Sequence, residues 1–165
     1  MPHTSDFLVV GGGIVGLTIA RALKRKHPDA SVTILDKEAE VGAHASGRNS
    51  GVLHAGFYYA ADSLKARYCA RGRRMMAAFC EQAGVRYREC GKLIVAVDEA
   101  EVPALDDLLA RGRGNDVEDL RLIDAREIAA LEPDIRAVAA LWSPRTGVVD
   151  AEACAKAYGR RAESA

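Results

Sequence analysis

A strand-like apolar run, Phe7-Leu8-Val9-Val10, leads straight into Gly11-Gly12-Gly13-Ile14-Val15-Gly16, and no other stretch restricts the fold so closely. The glycines have the G-x-G-x-x-G spacing at the junction of a strand and a helix. Gly11 permits the tight turn, Gly13 lets the backbone approach a pyrophosphate, and Gly16 lets the helix pack on the strands. Ile14 and Val15 open the helix, where unpaired N–H groups and the helix dipole favour phosphate. Leu17, Ala20 and Leu23 share one face of a helix predicted over 14–26. Pro28-Asp29 ends it, and Val32 to Leu35 forms a second strand. Strand, helix and strand make a βαβ unit with parallel strands and a right-handed crossover, its continuous apolar strands expected to be covered on both faces. Asp36 ends the second strand, 20 residues beyond Gly16, followed by Lys37. A carboxylate there accepts ribose hydroxyls and repels a 2′-phosphate, which disfavours NADP. The competing reading is that the glycines only build a sharp turn.

FAD and NAD share this frame, and the next segment separates them. An NAD domain starts its next helix soon after the acidic residue, whereas residues 37–62 show no periodicity. This stretch is rich in small and polar residues, His44-Ala45-Ser46-Gly47-Arg48-Asn49-Ser50-Gly51 above all. Donors of this kind can follow an extended dinucleotide, which points to FAD. Arg48 serves either a phosphate or the solvent, and Asn49 and Ser50 serve either the ligand or local turns. His54 lies either beside a flavin ring or in a purely structural role. Tyr58 and Tyr59 fit a ring wall and ordinary packing equally well.

Downstream, Ser63 caps a helix ending at Gly84, with Leu64, Tyr68, Met75, Phe79 and Ala83 on one face and Arg73 mostly elsewhere. Residues 85–89 and 92–97 read as two antiparallel strands joined at Cys90-Gly91. A helix over 99–111 precedes a loop at 112–115 and a strand at 120–123. Asp124 and Glu127 form a capping box, Pro133 ends that helix, residues 138–142 form a strand, and Asp150 caps a last helix to about Glu163. The fold class is α/β: a Rossmann-like FAD-binding βαβ unit of glutathione-reductase type, with the start of an antiparallel-sheet substrate domain. The sheet is incomplete, because two parallel strands do not cover their helices.

Lys plus Arg and Asp plus Glu both total 23, so the formal charge is zero and gives no attraction to nucleic acid. Cys69, Cys80, Cys90 and Cys154 form no CxxC pair, and His3, His27, His44 and His54 are scattered, which argues against zinc and for reduced thiols. The start, Met1-Pro2-His3, lacks a basic signal region, and the glycine-interrupted run after it is too short to span a membrane. These features suggest a cytoplasmic setting.

The segments DFLVVGGGIVGLTIARAL, GRNSGVLHAGFYY, SLKARYCARG, CGKLIVA and SPRTGVVD carry a resemblance. The chain resembles the D-amino-acid-oxidase-like (DAO) superfamily of FAD-dependent oxidoreductases, and within it the L-2-hydroxyglutarate dehydrogenase/oxidase group. The resemblance implies that Gly11, Gly13, Ile14, Val15, Gly16, Asp36 and Lys37 bind the ADP half of FAD. It puts Ser46, Arg48, Asn49, Ser50 and Gly51 near the pyrophosphate and ribityl chain, with Val52 to His54 approaching the isoalloxazine. It implies an FAD-binding domain over 1–84, the start of a substrate domain over 85–148, and a helix returning to the FAD domain over 149–165. Members of the group are much longer, so the chain reads as an amino-terminal fragment.

The implied reaction oxidises L-2-hydroxyglutarate to 2-oxoglutarate, with a hydride passing to flavin N5 and electrons to oxygen or a quinone. His54 is the candidate base, and Arg86 or Arg88 faces either a substrate carboxylate or solvent. The resemblance also admits peripheral attachment of the longer protein to the inner membrane face. Two alternatives stand: an amine or amino-acid oxidase of the same superfamily, and a truncated segment that is inactive alone.

Overall fold

In the computed structural model, which describes residues 4–163, β1 (Phe7–Val10) runs parallel to β2 (Val32–Leu35) in register Phe7↔Val32 to Val10↔Leu35. His3 and the chain start used against a signal region lie outside the described residues, as do the last two. Helix α1 (Ile14–Lys26) links the strands, so the βαβ unit forms as the sequence predicts. Leu17 and Ala20 are buried on its inner face, and Lys24, Arg25 and Lys26 stand in the last turn, where cations oppose the helix dipole. One expectation fails. Leu8 is 59%, Val10 78% and Leu35 57% exposed, so the strands are covered on one face only.

Two compact units result. The first comprises residues up to Gly51, Cys80–Arg86 and residues from Val149 onward; the second comprises Val52–Phe79 and Tyr87–Val148. Residues 52–79 thus pack with the second unit, a division that differs from the linear split at 84. In the first unit, α5 (Ala151–Glu163) lies against α1 and buries Cys154, Ala155, Ala157 and Tyr158. Asp150 caps it by accepting the Ala153 amide at 2.9 Å.

The second unit holds two three-stranded sheets, all but Val149 at the end of one strand. One has the order β3 (Val52–Leu53), β8 (Gly147–Val149), β4 (Tyr87–Glu89), with β3 and β8 antiparallel. The other has the order β5 (Lys92–Ala96), β7 (Ala139–Ser143), β6 (Arg121–Asp124), antiparallel throughout. The hairpin expected at Cys90-Gly91 is therefore absent, because β4 and β5 enter different sheets. Gly91 turns in the left-handed region (φ 76°) and donates to the Thr146 carbonyl at 2.9 Å.

A 3-10 turn at Glu99–Glu101 precedes α3 (Val102–Gly114), which runs through the loop expected at 112–115. Leu105 and Leu109 of α3 join Ala55, Phe57, Ala96, Leu120 and Leu141 in one apolar cluster. Fully burying a side chain such as Phe57 or Leu141 stabilises the fold by about 1.5–3 kcal/mol. Helix α4 (Ala125–Leu131) has Asp124 as its cap, accepting the Glu127 amide at 2.8 Å. The Glu127 carboxylate turns instead to Arg121 at 2.6 Å, so only half of the expected box forms.

Helix α2 (Leu64–Ala83) is capped by Ser63 Oγ, which accepts the Ala66 amide at 3.1 Å. Its covered face matches the predicted one only in part. Phe79 of that face is buried, but Leu64, Tyr68 and Met75 are exposed, and Ala66 and Cys80 are buried in their stead. The Arg73 side chain is only 10% exposed and pairs with Glu89 and Glu118. The small side chains of Ala66 and Cys80 pack inward with Phe79, while Leu64, Tyr68 and Met75 are left outside. No described helix is long and apolar enough to cross a membrane.

Candidate functional site

The turn between β1 and α1 is held by three contacts from outside it. The Gly11 amide donates to the Leu35 carbonyl at 2.8 Å, and the Gly12 amide to Asp36 Oδ2 at 2.5 Å. The Gly12 carbonyl accepts the Gly42 amide at 3.0 Å. Gly11 has φ 112°, a conformation that only glycine adopts freely. A Cβ on Gly16 would collide with the Gly11 carbonyl, so the glycine is required where helix meets turn.

Gly13 caps α1 without a side chain, and no acidic residue stands in the first turn. The Ile14 amide is taken by Ser46 Oγ at 3.0 Å. Among the described residues, no acceptor meets the Gly13 or Val15 amides. The positive end of the helix thus keeps donors for an anion.

Asp36 accepts a second amide, from Glu38, at 2.8 Å through Oδ1. Those amides, Glu38 first and Gly12 second, hold its carboxyl below the usual carboxylate range, helped by His44 and Lys37. A groove of about 430 Å³ runs beside it, lined in part by Gly12, Ile34, Asp36, Glu38, Val41 and Gly159. Apolar side chains such as Ile34 and Val41 on one side and the carboxylates of Asp36 and Glu38 on the other suit a flat base with an attached sugar.

The 37–51 loop is built from turns. Lys37 is exposed and pairs with Glu38 at 3.8 Å, and His44 Nε2 meets the same carboxylate at 2.8 Å. Asn49 is spent on the loop itself. Its Nδ2 donates to the Ala45 and Ser46 carbonyls at 2.9 and 3.0 Å, and its Oδ1 accepts the Gly51 amide at 2.8 Å. Arg48 lines a separate cavity of about 200 Å³ with Glu152 and Lys156. Ser50 is exposed, and Gly51 is buried with φ 66°, its carbonyl accepting the Val149 amide at 2.9 Å.

Val52 and His54 belong to the second unit. Val52 pairs with Val148 in β3, and the His54 imidazole stands on the surface with its pKa lowered, by burial first and by the Lys92 charge second. The Cys69 thiol donates to the His54 carbonyl at 3.1 Å. Arg88 is an exposed residue of β4 and Arg86 an exposed residue just before it.

The profile of the DAO family, FAD dependent oxidoreductase, matches residues 6–165. The chain belongs to that family. FAD is the cofactor that characterises it, as the βαβ unit and the irregular loop suggest. Among DAO relatives, the chain is 47% identical over 145 residues to the human (Homo sapiens) mitochondrial L-2-hydroxyglutarate dehydrogenase, covering 88% of this chain and 31% of that protein. It is 46% identical over 154 residues to the enzyme of that name from Nematostella vectensis, covering 93% and 34%. The DAO chain therefore spans about a third of the length of these relatives. An L-alpha-glycerophosphate oxidase from Mycoplasma pneumoniae, solved with FAD bound, matches with TM-score 0.89 and 28% identity over 99% of this chain and 43% of that one. A glycine oxidase from Geobacillus kaustophilus matches with TM-score 0.85 and 26% identity, covering 99% and 45%.

The structure brings Gly11, Gly13, Ile14, Val15, Gly16, Asp36 and Ser46 of this DAO chain together around one turn. Arg48, Asn49 and Ser50 lie along the loop; among the described residues no hydrogen bond joins Arg48 or Ser50 to that turn, and Asn49 reaches it only through the Ser46 carbonyl. Sequence reasoning missed Gly12, whose amide anchors Asp36, and Gly42, whose amide meets the Gly12 carbonyl. Gly42 has φ 71°, and the glycine-alanine stretch around it was the only available signal. It also missed Lys92, whose ammonium lies 4.8 Å from the centre of the Tyr58 ring.

Proposed function

We propose that this chain forms the nucleotide-binding part of an FAD-dependent enzyme that oxidises L-2-hydroxyglutarate to 2-oxoglutarate, passing electrons on to oxygen or a quinone. The observation that carries the reading is its 39–48% identity with L-2-hydroxyglutarate dehydrogenases over 88–93% of its length. The donor set fits FAD: among the described residues the Gly13 and Val15 amides have no acceptor, and Asp36 keeps a charged carboxylate at the edge of a groove.

In this reading the Gly13 and Val15 amides bind the diphosphate, and Ser46 fixes the helix start by holding the Ile14 amide. Asp36 binds ribose hydroxyls while the Gly12 and Glu38 amides keep it ionised and oriented. FAD, when bound, supplies the acceptor for the hydride that leaves the substrate's alpha carbon. His54 takes the hydroxyl proton on its neutral imidazole, a state that its lowered pKa favours near neutrality.

One observation favours a second reading, an amine or amino-acid oxidase: the likeness to glycine oxidase extends over 99% of the chain. Turnover of the full-length flavoprotein on L-2-hydroxyglutarate, glycine, sarcosine and D-amino acids separates the two. Activity on the hydroxy acid alone is expected; activity confined to amines rejects the first reading.

A further inference from the structure

Lys92 is held in place by its surroundings yet has no carboxylate partner among the described residues. It opens β5 opposite Ser143. Before it, Gly91 turns with φ 76°, and the space that a Gly91 Cβ would need is filled by the Trp142 indole, which fixes the main chain at this point. The Lys92 ammonium lies 4.8 Å from the centre of the Tyr58 ring. That ring packs on Phe57 with centroids 4.4 Å apart, and Phe57 is fully buried. Arg111 donates to the Tyr58 carbonyl at 3.2 Å. A cation over an aromatic face is attracted by the ring quadrupole, so the ammonium has a preferred seat. Some cations of this unit sit against carboxylates, Arg73 and Arg145 with Glu89 and Arg121 with Glu127; Lys92 sits against an aromatic ring instead. Among the described residues, Lys92 makes no ion pair.

We propose that Lys92 binds the carboxylate next to the reacting carbon of a 2-hydroxy acid, and that its charge selects a hydroxyl over an ammonium at that carbon. The inference rests on the reading of the preceding subsection and goes further by naming the anchor and the basis of discrimination. Lys92 stands close enough to His54 for its charge to act on the imidazole. A 2-hydroxy acid supplies what the pair lacks: an anion for Lys92 and a proton donor for a neutral imidazole. An amino acid carries an ammonium on the same carbon at neutral pH, since an α-amino group titrates at about 8, and a fixed cation repels it. The titratable or charged neighbours of His54 are Lys92 on β5 and the Cys69 thiol on α2, the latter bonded to the His54 carbonyl.

The test uses the full-length flavoprotein and its Lys92→Met, Lys92→Gln and Lys92→Arg variants, with folding checked by flavin absorbance and circular dichroism. For Met and Gln, KM for L-2-hydroxyglutarate should rise about tenfold with a smaller change in kcat, the amount expected when a charged hydrogen bond is lost. Removing the cation relieves its depression of the imidazole pKa, so the acid limb of kcat/KM should move to higher pH. Arg should restore both. Binding of 2-oxoglutarate, read from the flavin spectrum without turnover, should weaken about as much as KM rises. If wild type oxidises L-2-hydroxyglutarate while the Met and Gln variants keep its KM, product affinity and acid limb, Lys92 is not the anchor and the functional reading survives. If wild type oxidises only amines, the functional reading falls and takes this inference with it.

Discussion

Gly12 and Asp36 are joined across the β1–α1 turn, the amide of one donating to the carboxylate of the other at 2.5 Å. The bond couples the end of β2 to the phosphate-binding turn, so the acid that holds the sugar also sets the shape of the loop. Asp36→Asn keeps the size of the side chain and removes the charge. FAD affinity of the full-length apoprotein should fall about tenfold, because the ribose hydroxyls lose a charged acceptor. Quenching of flavin fluorescence on titration measures it. The pH dependence follows from the lowered pKa. An acid depressed in the folded state stabilises it above its ordinary value of 3.8, and that contribution disappears as pH falls through the depressed value. Flavin retention should therefore persist through mildly acidic pH in wild type, and the Asn variant should lose this particular acid dependence.

Gly16→Ala tests the turn by steric means. The added methyl would meet the Gly11 carbonyl, which is backbone and cannot rotate away. Helix and strand must separate, and overpacking of this kind destabilises by about 1–3 kcal/mol. A thermal melt several degrees lower is expected, together with loss of flavin. An alanine variant that melts like wild type and keeps FAD would show that the turn relaxes freely.

The elements of residues 7–35 were legible because their signals are local. A continuous apolar run and a period-3.6 pattern meet at a glycine-rich junction, and β1, α1 and β2 take the predicted bounds, although the strands are covered on one face only. Helix α2 misled because side-chain hydrophobicity selected Leu64, Tyr68 and Met75, whereas close packing selected Ala66 and Cys80 and admitted Arg73 with its carboxylates. The false hairpin at Cys90-Gly91 has a similar origin. The partners of β4 and β5 lie far downstream, in β8 and β7, beyond the reach of a local pattern. In the loop, donor types were readable but not their directions. Asn49 looked available to a ligand and is consumed by the Ala45, Ser46 and Gly51 backbone. The unpaired charge of Lys92 is visible only once the strands are assembled.

Arg73 offers a test of the second unit's stability. It lies 3.3 Å from Glu89 and 3.5 Å from Glu118 and donates to the Arg145 carbonyl at 3.3 Å. Glu89 has two further partners: Arg145 at 3.3 Å and the Tyr87 hydroxyl at 2.9 Å. Burial, with the Glu89 hydrogen bond second, pushes the Tyr87 pKa up to about 12. Removing one partner of a fully buried pair destabilises by about 3–5 kcal/mol. Glu89 keeps two partners and some solvent, so Arg73→Met should destabilise by less, about 2 kcal/mol. Urea unfolding monitored by Trp142 fluorescence measures this, and an unchanged midpoint would make the pair ornamental.

The bare face of the β1–β2 sheet bears on what the 165 residues do alone. Leu8, Val10 and Leu35 alternate outward on neighbouring parallel strands, and each is more than half exposed. A contiguous apolar strip on a two-stranded sheet invites association and leaves the sheet short of the packing that would stabilise it. The isolated chain should therefore bind a hydrophobic dye, self-associate at micromolar concentration and show no oxidation of L-2-hydroxyglutarate. Leu8→Lys with Val10→Thr should reduce dye binding and association, since both side chains face solvent. A monomeric chain that melts cooperatively with FAD bound would reject this expectation, because the exposed strip would then be no obstacle to folding.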